Sequence, residues 1–100
     1  DVERPTAIFA AGYYLALDVY SVLQSVGLRV PHDVSVVGVD NPISAAHLSP
    51  PLTTLRQPLT QMGRLAARGL FDLIGDAHAP MQRTLLRAEL MIRGSTGPAR

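Results

Sequence analysis

The sequence contains no cysteine, no tryptophan and no lysine. Without cysteine, the chain cannot form a disulfide framework or use a thiolate as a nucleophile or metal ligand. Proteins of the reducing cytoplasm typically lack disulfides, so we expect a cytoplasmic location. The chain also has no run approaching the roughly 18 apolar residues that a membrane-spanning helix needs. We therefore expect no contact with a membrane.

Basic charge is also limited, since all nine basic residues are arginines and the formal net charge is only +1. A DNA-binding surface needs its basic side chains concentrated on one face, with aromatic or polar side chains between them. The arginines are instead scattered along the chain, and aromatic residues make up only 5% of it. We do not expect these arginines to bind DNA.

The first twelve residues, DVERPTAIFAAG, have no basic segment before their apolar run and no initiator methionine. They match neither a signal peptide nor a natural protein start, so we expect the chain to be a piece of something longer. With 47% hydrophobic and 17% charged residues, it has the composition of one small globular domain.

The first forty residues predict a parallel strand–helix–strand unit. The apolar run at residues 6–11 is typical of a strand buried on both faces, and a helical period begins near Tyr13. Gly27 is suited to the left-handed residue that follows a helix, and residues 34–39 form a second, largely β-branched strand. The predicted apolar side of the helix consists of Leu15, Val19, Val22, Leu23 and Val26.

The second half predicts a short helix at residues 41–48, with Asn41 as its cap. A short strand at 52–57 and a long helix at 60–74 follow, and the helix ends at Gly75. Two glycines lie inside this helix, Gly63 and Gly69, and each lowers helix stability by ~1 kcal/mol relative to alanine. Close approach of another backbone would account for them, because glycine has no side chain to obstruct it. Residues 86–92 alternate apolar and polar residues, which indicates a half-exposed edge strand.

Asp40 and Gly12 end the two predicted parallel strands, so they should lie at the same sheet edge, where ligands of open α/β sheets bind. A carboxylate there can accept hydrogen bonds from vicinal hydroxyls or an amide edge, which makes Asp40 a candidate ligand contact. The alternative is that Asp40 only turns the chain. Tyr13 either stacks on a ligand or covers the core with its ring.

No catalytic, metal or cofactor site is predicted. The three histidines share no metal-ligand spacing with one another or with carboxylates. Ser35, Ser44 and Ser49 do not lie in a nucleophile elbow, and the sequence around Gly12 is not a glycine-rich phosphate loop. We therefore expect a binding protein and not an enzyme.

Four stretches of the chain resemble one known family in order and spacing. They are PTAIFAAGYYLAL (5–17), GLRVPHDVSVVGVDN (27–41), PPLTTLRQPLTQMGRLA (50–66) and ELMIRGST (89–96). Together they are similar to the C-terminal part of LacI/GalR-family transcription regulators. The VPxDVSVVGxD and PLTTxRQP elements are far more specific than any single glycine motif.

The resemblance implies an α/β fold of the two-lobed, type I periplasmic-binding-protein kind, of which this chain is the C-terminal part. Residues 5–40 and 85–93 would belong to the C-terminal lobe, and residues 52–74 to the N-terminal lobe. Residues 94–100 would form a tail. Family members also carry an N-terminal helix-turn-helix that binds operator DNA, and this chain lacks that part.

The resemblance further implies that a small effector, sugar- or nucleoside-like, binds in the cleft between the lobes. Asp40 matches the carboxylate that binds effector hydroxyls, and Gln57 matches a polar position beside the cleft. Where the family usually has Asn-Asp, this chain has Gly12-Tyr13, which removes a hydrogen-bonding side chain and adds an aromatic wall.

The surface through which family members form homodimers corresponds here to Leu17, Ser21, His47 and Leu48. The alternative for both leucines is an ordinary place in the core. Two rival functions remain: a periplasmic solute-binding protein of the same fold, and an α/β enzyme with Asp40 as general base. A signal peptide or a helix-turn-helix ahead of Asp1 would separate the first rival from the regulator.

Overall fold

The computed structural model describes residues 4–99. Its elements, in chain order, are β1 (Ala7–Ala10), α1 (Tyr13–Ser25), β2 (Ser35–Val39), a 3-10 helix (Ile43–His47), β3 (Thr53–Arg56), α2 (Leu59–Gly75) and β4 (Glu89–Met91). The strands form one sheet in the order β1-β2-β3-β4. The first three strands are parallel and β4 is antiparallel to β3. The predicted α/β class and the parallel pairing of the first two strands are confirmed.

The chain divides into two units, with Pro58–Ala88 as the second and the residues on either side of it as the first. The predicted division placed residues 52–74 together, and the structure differs at residues 52–57. Gly38 and Val39 of β2 pair with Thr54 and Leu55 of β3, so β3 belongs to the first unit. Backbone pairing along the sheet therefore moves the division to the position after Gln57.

The core of the first unit lies between α1 and the sheet. It contains Ala10, Ala16, Leu23, Val34, Val36, Ala45 and Leu52. A Cβ atom added at Gly38 would lie 3.1 Å from Leu52 Cδ2 and 3.4 Å from Ala16 Cβ. Glycine in β2 and alanine in α1 thus allow the helix to pack closely on the sheet.

The predicted apolar side of α1 is wrong in part. Leu15, Val22 and Val26 are more than half exposed, whereas Ala16 and Leu23 are buried. The prediction favoured the large side chains, but the close packing over Gly38 admits only a small one at the centre of the contact. Tyr20 packs against the core cluster, and its hydroxyl donates to the carbonyl of Pro50 at 2.8 Å. Burial raises the pKa of Tyr20 above the ordinary tyrosine value.

The predicted end of α1 is confirmed. Gly27 has φ of +76°, the left-handed conformation that glycine adopts without steric cost. The Leu28 N–H donates to the Leu23 carbonyl at 2.9 Å, and the Gly27 N–H donates to the Gln24 carbonyl at 3.2 Å. These two bonds form a Schellman motif, which satisfies carbonyls that the helix leaves free.

Residues 94–97, predicted as part of a tail, are instead built into the first unit. Ser95 is fully buried. Its hydroxyl donates to the Val36 carbonyl at 2.6 Å and accepts from the Thr53 N–H at 2.8 Å. The Val36 N–H donates to the Ser95 carbonyl at 2.9 Å. The segment therefore bonds to residues near the starts of β2 and β3, where the parallel ladder alone leaves backbone groups free.

The second unit consists of α2 and the segment that follows it. The helix runs about as predicted, but all its residues are exposed within this unit, including Phe71 and Ile74. No atom of the second unit lies within 4 Å of a Cβ added at Gly63 or Gly69, so the close approach expected there does not occur within this unit. Among residues 4–99, neither helix combines the length and the apolar character that crossing a bilayer requires.

Candidate functional site

The three parallel strands end at the same edge of the sheet, and the predicted effector residues follow directly after them. Ala10, near the end of β1, pairs with Gly38 of β2, and Val39 pairs with Leu55 of β3. Gly12 and Tyr13 follow β1, Asp40 follows β2, and Gln57 follows β3. The strand register therefore places all four predicted residues at one edge, the side on which open α/β sheets bind ligands.

Asp40 is held in an unusual conformation at this edge. It is the only non-glycine residue with positive φ, at +75°, in the part of the chain that the structure describes. Aspartate tolerates this left-handed region better than most residues do. The Asp40 N–H donates to the Leu55 carbonyl at 3.0 Å, which extends the ladder between β2 and β3 by one bond. The backbone thus turns at Asp40 while its amide remains fixed to the sheet.

The carboxylate of Asp40 contacts another predicted effector residue. Gln57 Nε2 donates to Asp40 Oδ1 at 2.8 Å, and both residues are half-buried. A carboxylate offers about four acceptor positions, so this bond leaves capacity for further donors. The amide oxygen of Gln57 adds an acceptor next to it. The pair brings acceptors and a donor together within a few ångströms, and such groups can hydrogen-bond to hydroxyls.

Asn41 does not cap a helix as predicted. The 3-10 helix has Pro42 at its N-cap position and no side-chain cap. Asn41 Oδ1 instead accepts from Thr54 Oγ1 at 3.0 Å and from Arg93 Nη2 at 2.7 Å. A charged donor forms a stronger hydrogen bond than a backbone N–H does, which accounts for the choice of partner.

Tyr13 links the start of α1 to the 3-10 helix. Its hydroxyl donates to Ser44 Oγ at 2.7 Å, and its half-buried ring packs against the core. The ring of Tyr14 stands edge-on to it, with centroids 5.6 Å apart, and Tyr14 is 79% exposed. Gly12 occupies the N-cap of α1 without any side-chain cap. Tyr13 thus packs on the core with part of its ring accessible, and its contact with a ligand stays a prediction.

The four predicted dimer residues lie on α1 and around the 3-10 helix. Ser21 and His47 are exposed, whereas Leu17 and Leu48 are half-buried. Leu48 packs against the core cluster, so part of its surface already has a structural role. Leu17 keeps accessible surface on the same helix as Ser21.

Sequence reasoning missed Arg93 and Ser95, whose side chains bond to the β2 and β3 segments. Both follow β4 and bond to residues 39 or more positions away. The signal present in the sequence was the ELMIRGST stretch, which supported the family resemblance without indicating what its arginine and serine contact.

Other charged groups do not extend the site. Among residues 4–99, no three His, Cys, Asp or Glu side chains come together in a way that could hold a metal ion. Asp33 accepts from the Arg29 N–H at 2.7 Å. This backbone hydrogen bond lowers the pKa of Asp33, and the Arg29 guanidinium contributes in the same direction.

Comparison with known proteins places this geometry in one family. The model for the periplasmic binding protein-like domain matches residues 1–96. The HTH-type transcriptional regulator MalR of Streptomyces coelicolor is 43% identical over 94 residues, which are 94% of this chain and 27% of the relative. The chain thus spans about a quarter of the length of this curated relative.

Two similar solved structures are complexes with a sugar. One is a complex of the transcriptional regulator CelR with cellobiose, with a TM-score of 0.83 and 42% identity, covering 90% of this chain and 28% of that one. The other is a LacI family transcriptional regulator from Enterococcus faecalis with bound ribose, with a TM-score of 0.85 and 34% identity, covering 98% and 36%.

Proposed function

This chain belongs to the periplasmic binding protein-like domain family, and on that premise we propose that it is the effector-sensing and dimerisation segment of a LacI-family transcriptional regulator. The support is that the relatives and solved neighbours described above are transcriptional regulators and not enzymes. Operator DNA would be bound by a helix-turn-helix outside this chain, in the cytoplasm. Effector binding would then bias the DNA-binding part by favouring one conformation over another.

The observation that carries the proposal is the Asp40–Gln57 pair at the carboxyl edge of the parallel strands. Asp40 adopts a left-handed conformation there, and its carboxylate meets a side chain from the end of β3. Non-glycine residues in such conformations occur preferentially at ligand sites. A residue needed only to turn the chain would more simply be glycine, which has no side chain to present.

We propose a sugar- or nucleoside-like effector with vicinal hydroxyl groups. Two neighbouring hydroxyls can donate to one carboxylate, and Gln57 can both donate and accept. The aromatic wall at Tyr13 offers an apolar surface to a sugar ring. Gly12, which has no side chain, allows a ligand to approach the backbone closely.

Ligand-induced stabilisation tests this proposal. The melting temperature of the protein at its full natural length is measured with ribose, cellobiose, inosine and 2-deoxyribose. At a ligand concentration of 100 times Kd, binding stabilises the native state by about 2.7 kcal/mol. We expect a rise with at least one of the first three ligands and a much smaller rise with 2-deoxyribose, which lacks one of the vicinal hydroxyls. No rise with any of the first three would contradict the proposal.

We also propose that Leu17, Ser21, His47 and Leu48 form a homodimer surface, as the family resemblance implies. Because Ser21 is exposed, Ser21→Arg should place a charge in the interface without disturbing the fold. We expect light scattering coupled to size-exclusion chromatography to show a dimer for the wild type and a monomer for Ser21→Arg. The control Thr60→Arg, at an exposed position of α2, should remain dimeric. A dimeric Ser21→Arg variant would remove this surface from the proposal.

The alternative is a periplasmic-type solute-binding protein, because the periplasmic binding protein-like domain that the chain matches has the same fold. The residues encoded before Asp1 separate the two functions, because a regulator has a helix-turn-helix there and a secreted binding protein has a signal peptide. The relatives described above are regulators, so we place the solute-binding protein second.

A further inference from the structure

Arg93 is a half-buried arginine whose side-chain hydrogen bonds all go to neutral oxygens. Its Nη1 donates to the Leu52 carbonyl at 2.7 Å and to Thr54 Oγ1 at 3.2 Å, while its Nη2 donates to Asn41 Oδ1 at 2.7 Å. The ion pairs found among residues 4–99 are Arg29–Asp33 and Arg56–Glu89, and neither includes Arg93.

These bonds fix the backbone immediately after Asp40. Asn41 Oδ1 receives two donors, one from Arg93 and one from Thr54 of the neighbouring strand. On the other side, the Asp40 N–H is fixed to the Leu55 carbonyl. The left-handed residue is therefore anchored on both sides, once through its own amide and once through the side chain that follows it.

The anchoring is needed because the left-handed conformation is not the one that aspartate prefers. Ordinary L-residues adopt it at a steric cost, and it persists only where surrounding contacts impose it. If Asn41 were released, the Asp40 backbone could relax and turn its carboxylate away from the position next to Gln57. The precision of a binding site depends on such supporting contacts behind the residues that touch the ligand.

We infer that Arg93 is a positioning residue for the effector site, acting through Asn41 on the orientation of the Asp40 carboxylate. This inference rests on the proposed function, since it assigns Arg93 a part in ligand affinity. The fork geometry of the guanidinium is essential to it. Two separate nitrogens reach Leu52 on one side and Asn41 on the other, which a lysine ammonium on its single carbon stem does not reproduce.

Calorimetric titration of the full-length protein tests the inference, with ribose, cellobiose or inosine as the probe, whichever stabilises the wild type most. We expect Arg93→Lys to weaken binding about tenfold. The same substitution in an Asp40→Gly background should change the affinity less than about twofold, because glycine has no side chain left to position. The control Arg56→Lys, in an exposed ion pair with Glu89, should change affinity less than twofold in both backgrounds.

Asn41 provides a second route that leaves Arg93 in place. Asn41→Ala should weaken binding about as much as Arg93→Lys does, whereas Asn41→Asp keeps an acceptor for the guanidinium and should restore binding to within about threefold. Melting temperatures without ligand show whether each variant folds. If Arg93→Lys does not fold, the affinities of the two Asn41 variants test the positioning role.

The outcomes separate this inference from the proposed function. Affinity that stays unchanged in Arg93→Lys and Asn41→Ala, or that falls equally in both Asp40 backgrounds, would overturn the positioning role alone. Absence of binding of ribose, cellobiose and inosine to the wild type would overturn the inference along with the proposed effector site on which it rests.

Discussion

Replacing Asp40 with glycine is expected to lower effector affinity by about 100-fold or more while leaving the fold intact. Each hydrogen bond to a charged group contributes about 1.5–3 kcal/mol, so loss of two ligand hydroxyl contacts corresponds to at least 100-fold in Kd. Glycine adopts the left-handed conformation freely, which offsets the loss of the bond from Gln57. The free energy of unfolding should therefore stay within about 1 kcal/mol of the wild type.

Two variants and two measurements define this test. Titration with ribose, cellobiose or inosine, whichever stabilises the wild type most, gives the affinity, and denaturant unfolding gives the stability. Asp40→Asn retains tolerance of positive φ and an acceptor oxygen but loses the charge, so an intermediate loss of about tenfold is expected. The control Asp72→Asn removes an exposed carboxylate of α2 and should bind as the wild type does. Unchanged affinity in Asp40→Gly would show that Asp40 only turns the chain.

Ser95→Ala is expected to lower the free energy of unfolding by about 2–4 kcal/mol, a large fraction of the stability of a small domain. The Ser95 hydroxyl bonds simultaneously to the Val36 carbonyl and the Thr53 N–H, and Ser95 is fully buried. Alanine would leave both backbone groups without this partner where no solvent replaces it. Denaturant unfolding of the full-length protein measures the loss through a lower midpoint at unchanged slope.

Ser44 provides the control for this prediction. It also accepts a side-chain hydrogen bond, from Tyr13, but it lies at the surface. Water can replace the lost hydroxyl there, so Ser44→Ala should change stability by less than about 1 kcal/mol. If Ser95→Ala and Ser44→Ala had equally small effects, the segment after β4 would not join β2 to β3 as described.

Local sequence patterns were sufficient to predict β1, β2 and the end of α1. The apolar run before Gly12 and the β-branched run before Asp40 identified two buried strands, and Gly27 followed by Leu28 identified the end of α1. Each of these signals depends on residues within a few positions of one another. The two predicted strands then placed Asp40 at the sheet edge, because parallel strands end on the same side of a sheet.

Contacts between distant residues could not be predicted in the same way. Arg93 meets Asn41 across 52 positions and Ser95 meets Val36 across 59. No residue near Asn41 in the sequence indicated that its side-chain oxygen would accept from the Arg93 guanidinium instead of capping a helix. The inner face of α1 was also misjudged, because the close approach of Ala16 to Gly38 depends on the shape of the sheet beneath it.

The helix α2 shows a further limit of periodicity. The sequence predicted the helix at residues 60–74, yet its apolar side chains, Leu70 and Ile74 among them, are exposed within the second unit. A hydrophobic period reports that a face is suited to burial and carries no information about its partner.

The most direct test of the account is a crystal structure of the full-length protein with the ligand that stabilises it most. The account predicts ligand hydroxyl oxygens at about 2.7 Å from the Asp40 carboxylate, with Asp40 still at positive φ and Asn41 still bonded to Arg93. A ligand bound elsewhere, with the Asp40 carboxylate contacting only Gln57, would contradict the central claim that Asp40 is the effector-binding carboxylate.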